Sequence, residues 1–153
     1  MSPGWRHELA GKMIARLVEA YAEERDLPLN GFGRWTMRKK RRRRGCEADE
    51  CYILGRKGER RVAQLAIEVE QSRLGIDKLD IYRGLGVGEV WRWRAGRIQV
   101  HVLRRRRAGR AFVEVARSKL LPELDLELLT RFVATEDQTA SVKAFRKALR
   151  AAR

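Results

Sequence analysis

The chain has 153 residues, 36% of them charged, and its 35 lysines and arginines against 20 acidic residues give a formal net charge of +15. This length suits one domain, so we expect residues 1–153 to fold as a single unit. The charge favours a polyanionic partner, nucleic acid before acidic membrane surface. No apolar run approaches the roughly 18 residues that span a bilayer, so the sequence argues against an integral membrane protein.

The N-terminal stretch lacks the uninterrupted apolar core of a signal peptide. Only two cysteines occur, which makes a disulfide framework improbable. These two features predict a protein of the reducing cytoplasm.

Residues 5–25 predict a helix, because apolar residues recur there at three- and four-residue spacing. Residues 26–33 are rich in turn formers and end that helix. Residues 35–38 favour a short strand. The seven consecutive basic residues from Arg38 to Arg44 then predict a solvated loop.

Period-two alternation of apolar and polar side chains predicts five strands in the middle of the chain, at residues 49–54, 64–70, 89–94, 97–103 and 111–116. A helix over about residues 76–86 separates the second strand from the third. The basic segment from Arg104 to Arg110 is interpreted as the connection of a hairpin. This order of helices and strands favours an α/β fold with a mixed sheet flanked by helices.

Beyond Ser118 the pattern becomes helical again. Thr135-Glu-Asp-Gln138 fits a capping box and predicts the start of a last helix, with Val142, Phe145 and Leu149 on one face. The sequence contains no internal repeat and no linker long enough to divide the chain.

Several motifs carry little chemistry. His7 and His101 lie far apart without a serine or cysteine partner at readable spacing, which argues against a nucleophilic triad. Cys46 and Cys51 lack a second pair of ligands for zinc. The glycines from Gly84 to Gly88 follow a predicted helix, whereas a dinucleotide-binding loop precedes one, so they indicate a helix stop and a turn.

An acidic cluster is more informative. Asp49 begins one predicted strand, and Glu68 and Glu70 point to one face of the next. Such carboxylates either lie solvated on an exposed face or share a divalent cation, and hard oxygen ligands suit Mg²⁺. Lys78, ten residues after Glu68, falls near the start of the following helix, from which it could reach the carboxylates and stabilise charge on a phosphate.

Motifs spread over most of the chain resemble the Uma2 putative restriction-endonuclease family, a bacterial branch of the restriction-endonuclease-like, PD-(D/E)XK nuclease superfamily. They are Leu27-Pro-Leu-Asn-Gly-Phe32, Glu47-Ala-Asp-Glu-Cys-Tyr-Ile53, Leu65-Ala-Ile-Glu-Val69, Gly75-Ile-Asp-Lys-Leu-Asp-Ile-Tyr82, Gly86-Val-Gly-Glu-Val-Trp91, Gly96-Arg-Ile-Gln-Val100 and Ser118-Lys-Leu-Leu-Pro-Glu-Leu-Asp125. Their order and spacing carry the resemblance, which leaves out the C-terminal helix, residues 136–153.

The resemblance implies a restriction-endonuclease-like core and metal-dependent hydrolysis of DNA phosphodiesters. Asp49 would be the acid of the first motif and Glu68 the acid of the second. Glu70 stands where the superfamily has a lysine, and in this branch that lysine has moved to the following helix, where Lys78 falls. Asp49 and Glu68 would then hold Mg²⁺, with Mn²⁺ as a substitute, and Lys78 would support the attacking water.

One position departs from the family pattern. Relatives carry Pro-Asp at the start of the second motif strand, where this chain has Ala63-Gln64. Gln64 could complete the metal site through its amide oxygen, but it brings no charge. Two functions therefore stay open: an active endonuclease, or a non-catalytic basic protein that keeps the fold and binds nucleic acid.

Two basic segments are candidates for contacting phosphates along a DNA duplex, or else serve solubility alone. They comprise Arg38, Lys39, Lys40, Arg41, Arg42, Arg43, Arg44, Arg104, Arg105, Arg106 and Arg107, with Arg110 close by. A weaker hypothesis is an RNA-binding or toxin-like protein that depends on these arginines. Trp91 matches a core position of the family, which favours packing over base stacking. Cleavage of both strands would be simplest for a homodimer.

Overall fold

The computed structural model describes residues 4–39, 44–70 and 78–152. The helices are α1 (Trp5–Glu24), α2 (Lys78–Leu85), α3 (Leu126–Thr130) and α4 (Gln138–Ala151). The strands are β1 (Leu29–Gly31), β2 (Thr36–Lys39), β3 (Arg44–Glu47), β4 (Glu50–Leu54), β5 (Leu65–Val69), β6 (Glu89–Arg94), β7 (Arg97–Arg106) and β8 (Gly109–Val115).

Six strands form the main sheet, in the order β1-β4-β5-β6-β7-β8, and β2 and β3 form a separate hairpin. Strands β5 and β6 are parallel and are joined through α2, while the other neighbours in the sheet are antiparallel. We call the edge where β5 and β6 finish, at Val69 and Arg94, the carboxyl end of the sheet. The edge where they start, at Leu65 and Glu89, is the amino end.

The two faces of the sheet bury different cores, because successive side chains of a strand point to opposite sides. Leu65, Ile67 and Val69 of β5 join the core formed with α1, α3 and α4. Ala66 faces a second core, which contains residues of α2 and of the β2–β3 hairpin. Glu68 lies on the same side as Ala66, and this placement directs its carboxylate towards α2.

Helix α4 packs against α1, with Phe145 and Leu149 buried in the larger core. Glu24 of α1 accepts hydrogen bonds from Arg150 (Nη2–Oε1 distance 2.7 Å) and Arg146 (Nη1–Oε1 distance 3.2 Å). The Arg150 hydrogen bond and the Arg146 guanidinium hold the pKa of Glu24 at about 2. Shared burial and charge pairing support our proposal that α4 belongs to the same domain as the rest of the chain.

The structure confirms the mixed α/β sheet flanked by helices that the sequence predicts. Strands β1 and β3 are too short to show a period-two pattern, and the sequence prediction missed both. In the basic segment, β2 continues to Lys39 and β3 begins at Arg44, while residues 40–43 lie outside the described residues. No helix in the described part of the chain is long and apolar enough to cross a membrane.

Two local predictions were wrong. The segment from Arg104 to Arg110 is not simply a loop: β7 runs to Arg106 and β8 starts at Gly109, because the antiparallel pairing of the two strands continues through the arginines. The last helix is capped by Asp137, whose carboxylate accepts from the Ala140 N–H at 2.9 Å, so Thr135 is not the cap.

Candidate active site

Glu68, near the carboxyl end of β5, is the buried acid of the site. It is only 4% exposed. Lys78 Nζ donates to its Oε2 at 2.7 Å, and the Tyr82 hydroxyl donates to its Oε1. Residues 78 and 82 stand four positions apart on one face of α2, so a single short helix supplies both donors.

The pKa values of Glu68, Lys78 and Tyr82 are all raised. Burial raises the pKa of Glu68, although Lys78 and Tyr82 act against that shift. Burial alone would lower the pKa of Lys78, but the hydrogen bond and charge of Glu68 outweigh it, and the pKa of Lys78 is raised. Burial, followed by the charge of Glu68, also raises the pKa of Tyr82. Lys78 is therefore a cation and Tyr82 a neutral donor at neutral pH.

Asp49 comes directly before β4 and reaches the same end of the sheet. Its Oδ2 accepts a hydrogen bond from the Val69 N–H at 2.9 Å, which fixes it beside the last residue of β5. Besides burial, the negative charge of Asp49 raises the pKa of Glu68. The structure thus brings together Asp49, Glu68 and Lys78, the three residues predicted to be catalytic.

His7 of α1 is a neighbour that the sequence prediction dismissed. Its Nε2 lies 2.8 Å from the Val69 carbonyl oxygen and 3.7 Å from Asp49 Oδ2. The contact joins residues 62 positions apart, and the predicted helix gave no sign of it. Only the packing of α1 across the sheet reveals that His7 lies at the site.

A cleft of about 230 Å³ opens beside Asp49, lined by His7, Glu8, Gly11, Lys12, Arg34, Asp49 and Glu50. Two cations, Lys12 and Arg34, therefore lie next to the acids. Burial, together with the charge of Glu19, raises the pKa of Glu50. Arg34 is paired with Glu8 (Nη2–Oε1 distance 3.4 Å), so Lys12 is the cation of this lining that stands beside Asp49 and Glu50 without a described ion pair, and neither Glu68 nor Lys78 is a lining residue.

Gln64 is not brought to this cluster. Its Oε1 accepts a hydrogen bond from the Leu54 N–H at 2.8 Å, and the residue precedes β5 at the amino end of the sheet. Four residues of extended strand, about 13 Å, separate it from Glu68. Gln64 therefore has no part in the site proposed below.

The β2–β3 hairpin, which carries one basic segment, packs against α2, the helix of Lys78 and Tyr82, whereas the other basic segment lies at the opposite end of the sheet. Arg38 is exposed on β2, and Lys39 and Arg44 belong to the backbone of the β2–β3 hairpin. Lys40, Arg41, Arg42 and Arg43 fall outside the described residues. Arg104, Arg105, Arg106 and Arg107 are exposed at the tip of the β7–β8 hairpin, which extends from the amino end of the sheet.

Glu89, at the start of β6, is a second buried acid that the sequence prediction missed; it is 3% exposed. Trp91 Nε1 (2.6 Å) and Ser118 Oγ (2.5 Å) donate to its Oε1, and the backbone N–H groups of Lys119 (2.9 Å) and Leu120 (3.1 Å) donate to its Oε2. These bonds fasten the segment after β8 to β6. Trp91 is fully buried in the larger core, which agrees with its predicted packing role.

Among the described residues, no three His, Cys, Asp or Glu side chains are arranged to hold a metal ion. Two carboxylates can nevertheless suffice for Mg²⁺, which usually keeps several waters and takes one or two protein carboxylates together with substrate phosphate. Asp49 and Glu68 are the two carboxylates predicted to bind metal at this end of the sheet. Glu70, the third predicted acid, is paired instead with Arg92, whose Nε lies 2.5 Å from its Oε1.

A mixed sheet with acids gathered at the carboxyl end of β5 is consistent with the restriction-endonuclease-like class. The model of the Uma2 family, described as a putative restriction endonuclease, matches residues 1–136. The chain belongs to this family, as the sequence motifs indicated. None of the curated proteins matches the chain. The matched region contains every residue of the candidate site and ends just before α4.

Membership of this family supports a nuclease-like function with nucleic acid as the substrate. Restriction-endonuclease-like enzymes are usually metal-dependent.

Proposed function

We propose that the protein is an endonuclease that hydrolyses DNA phosphodiester bonds with Mg²⁺, Mn²⁺ acting as a substitute. The observation that carries the proposal is the buried Glu68 carboxylate, which is held by Lys78 and Tyr82 close to Asp49. Buried acids are costly, and strongly perturbed ones cluster at functional sites.

The donor set fits Mg²⁺. Each carboxylate oxygen has two lone pairs, so Glu68 keeps acceptor capacity beyond its bonds to Lys78 and Tyr82. Asp49 has an oxygen besides the one that binds the Val69 N–H. A bound cation would also offset the mutual repulsion of the two acids. When bound, Mg²⁺ would supply Lewis-acid activation of water and of the phosphate.

The protein's own side chains orient the carboxylate of Glu68 and neutralise negative charge on the phosphate. Lys78 is a cation, so it stabilises negative charge that develops on the phosphate and cannot act as the base that removes a proton from water. Tyr82 fixes the rotamer of Glu68 from the buried side. Lys12 holds the phosphate backbone in the cleft beside Asp49, and Arg34 joins it when it exchanges Glu8 for a phosphate oxygen.

DNA is the proposed substrate because the net charge of +15 attracts a polyanion and because of the family's description as a restriction endonuclease.

We place the protein in the cytoplasm, where its two buried free cysteines stay reduced. We further propose a homodimer for cutting both strands. A non-catalytic DNA-binding protein is the second candidate, favoured by the remote position of Gln64, which removes the predicted third ligand from the acid pair.

Plasmid nicking tests the proposal. Supercoiled plasmid is incubated with the wild type, Glu68→Gln or Glu70→Gln, each with Mg²⁺, Mn²⁺ or EDTA. Glu70 is the matched control, since it lies two residues away on the same strand face but pairs with Arg92. We expect metal-dependent nicking by the wild type and by Glu70→Gln, and none by Glu68→Gln. Binding without nicking under either metal would support the second candidate.

A further inference from the structure

The β7–β8 hairpin places arginines directly opposite one another. Arg105 and Arg110 are cross-strand partners, and both are exposed. Like charges in this arrangement destabilise a strand pair. An anionic partner that lies across both side chains would remove that repulsion.

Further cations surround a cleft beneath this hairpin. The cleft has a volume of about 360 Å³ and lies at the amino end of the sheet, with Arg60, Lys119, Gly86 and Gly88 among its lining residues. The guanidinium of Arg110 is next to it, since a Cβ added at Gly86 would lie 3.8 Å from Arg110 Nη1. Four cations therefore converge here: Arg60, Arg105, Arg110 and Lys119, which we call the basic end.

Glu89 also lines this cleft, and its single negative charge offsets only one of the four cations. Its carboxylate is 3% exposed and accepts from the N–H groups of Lys119 and Leu120. The positive charge of the basic end therefore faces solvent.

The basic end lies far from the candidate active site. Glu68 is level with Arg92 and Gln99 in the register of the sheet, and Arg105 is six residues further along β7. At about 3.3 Å per residue this is about 20 Å. Along a duplex, 20 Å corresponds to about six base pairs.

We propose that the basic end binds the sugar-phosphate backbone of DNA about six base pairs from the phosphate that is cleaved. The identity of the partner rests on the proposed function. Arginine favours phosphate, because its planar guanidinium makes two parallel hydrogen bonds. Among the described residues, Trp5 is the large apolar side chain that is strongly exposed, and it lies on α1, outside the basic end. The basic end thus lacks the apolar groups with which a surface helix enters a membrane.

Fluorescence anisotropy tests this proposal in EDTA, which prevents metal-dependent cleavage. The probe is a labelled random-sequence duplex of about 20 base pairs, about three times the proposed separation of six base pairs. The test variant is Arg105→Gln/Arg110→Gln. The matched control is Lys143→Gln/Lys147→Gln, which removes the same charge from exposed positions of α4. We expect the test variant to bind about tenfold more weakly near physiological salt and its log–log salt slope to fall by about 1.8, while the control changes less than twofold.

Equal weakening by both variants, or no weakening by the test variant, would overturn the proposal. So would tighter binding to phosphatidylglycerol vesicles than to the duplex. Should the test variant fail to fold, as judged by thermal denaturation, Arg60→Gln/Lys119→Gln, the two exposed cations that line the cleft of the basic end, takes its place. Loss of binding in the test variant, combined with a wild type that nicks no plasmid, would reject the proposed function and leave standing the part of this inference that assigns DNA binding to the basic end.

Discussion

Two buried glutamates on neighbouring parallel strands are held in contrasting ways. Glu89, at the amino end of the sheet, accepts four hydrogen bonds from neutral donors, two of them backbone N–H groups. Glu68, near the carboxyl end, accepts from a half-exposed lysine and a buried tyrosine, and lies close enough to Asp49 for its pKa to be raised by that charge. Glu89 ties together two segments of backbone, whereas Glu68 shares its site with another acid and a cation. We infer that Glu89 serves the fold and Glu68 serves chemistry.

The largest expected effect is that of Glu68→Gln on nuclease activity. Loss of a metal-binding carboxylate should lower the nicking rate at least about 100-fold, more than the loss of most residues that only support a metal ligand. Because burial raises the pKa of Glu68, its charge costs folding free energy at neutral pH, so the midpoint of thermal unfolding should stay level or rise. A large fall in that midpoint would show that Glu68 is structural.

Glu89→Ala should have the reverse profile. It leaves buried donors of Trp91, Ser118, Lys119 and Leu120 without an acceptor, each costing about 1–3 kcal/mol when unsatisfied. We expect the free energy of unfolding to fall by about 3 kcal/mol or more, measured by urea denaturation. Nicking per folded molecule should stay close to that of the wild type. An unchanged urea midpoint would contradict the structural role of Glu89.

Tyr82→Phe sharpens the contrast by removing one donor from Glu68 and leaving the acid itself. We expect kcat to fall about 10- to 100-fold, the usual effect of losing a group that orients a metal ligand, with KM for DNA little changed. The apparent affinity for Mg²⁺ should fall as well. Steady-state cleavage of a short duplex at several Mg²⁺ concentrations measures all three. A rise in KM alone would mean that Tyr82 contacts the DNA instead.

Glu24 lies apart from both Glu68 and Glu89. Its substitution should change stability alone, and by less than Glu89→Ala does. Its pKa in the folded protein is about 2, below its ordinary value of 4.5, because Arg150 and Arg146 hold the charged form. The stability that this carboxylate contributes is therefore complete above about pH 4.5 and is lost as the pH falls towards 2. Glu24→Gln should lower the thermal midpoint at pH 7 and flatten its fall in acid. Parallel acid-dependence curves for the two proteins would contradict this role.

The periodic patterns predicted α1, β4 to β8 and α2 well, because the apolar residues of each element recur at the period of a helix or of a strand. They also suggested that Glu68 and Lys78 would meet, since a helix that follows a strand and leads to a parallel neighbour packs back onto the sheet. The alternation in β5 placed Glu68 on the face that α2 covers. This much of the site is local in sequence and follows from secondary structure.

The other contacts depend on tertiary packing that no periodicity reveals. His7 reaches Val69 across 62 residues, and Glu89 reaches Ser118 across 29. Gln64 and Glu68 point to the same face of the sheet but lie at opposite ends of β5. Only the antiparallel pairing of β4 with β5 shows that Asp49 lies at the Glu68 end. The run of arginines from Arg104 to Arg107 indicates a loop by its composition. Only the structure shows that part of this run pairs with β8.

Isothermal titration of Mg²⁺ into the wild type, Glu68→Gln and Glu70→Gln, without DNA, tests the central claim most directly. We predict saturable binding by the wild type and by Glu70→Gln, and its loss in Glu68→Gln while the fold stays intact. Equal binding by all three proteins would contradict the assignment of Glu68 as the acid reserved for metal chemistry.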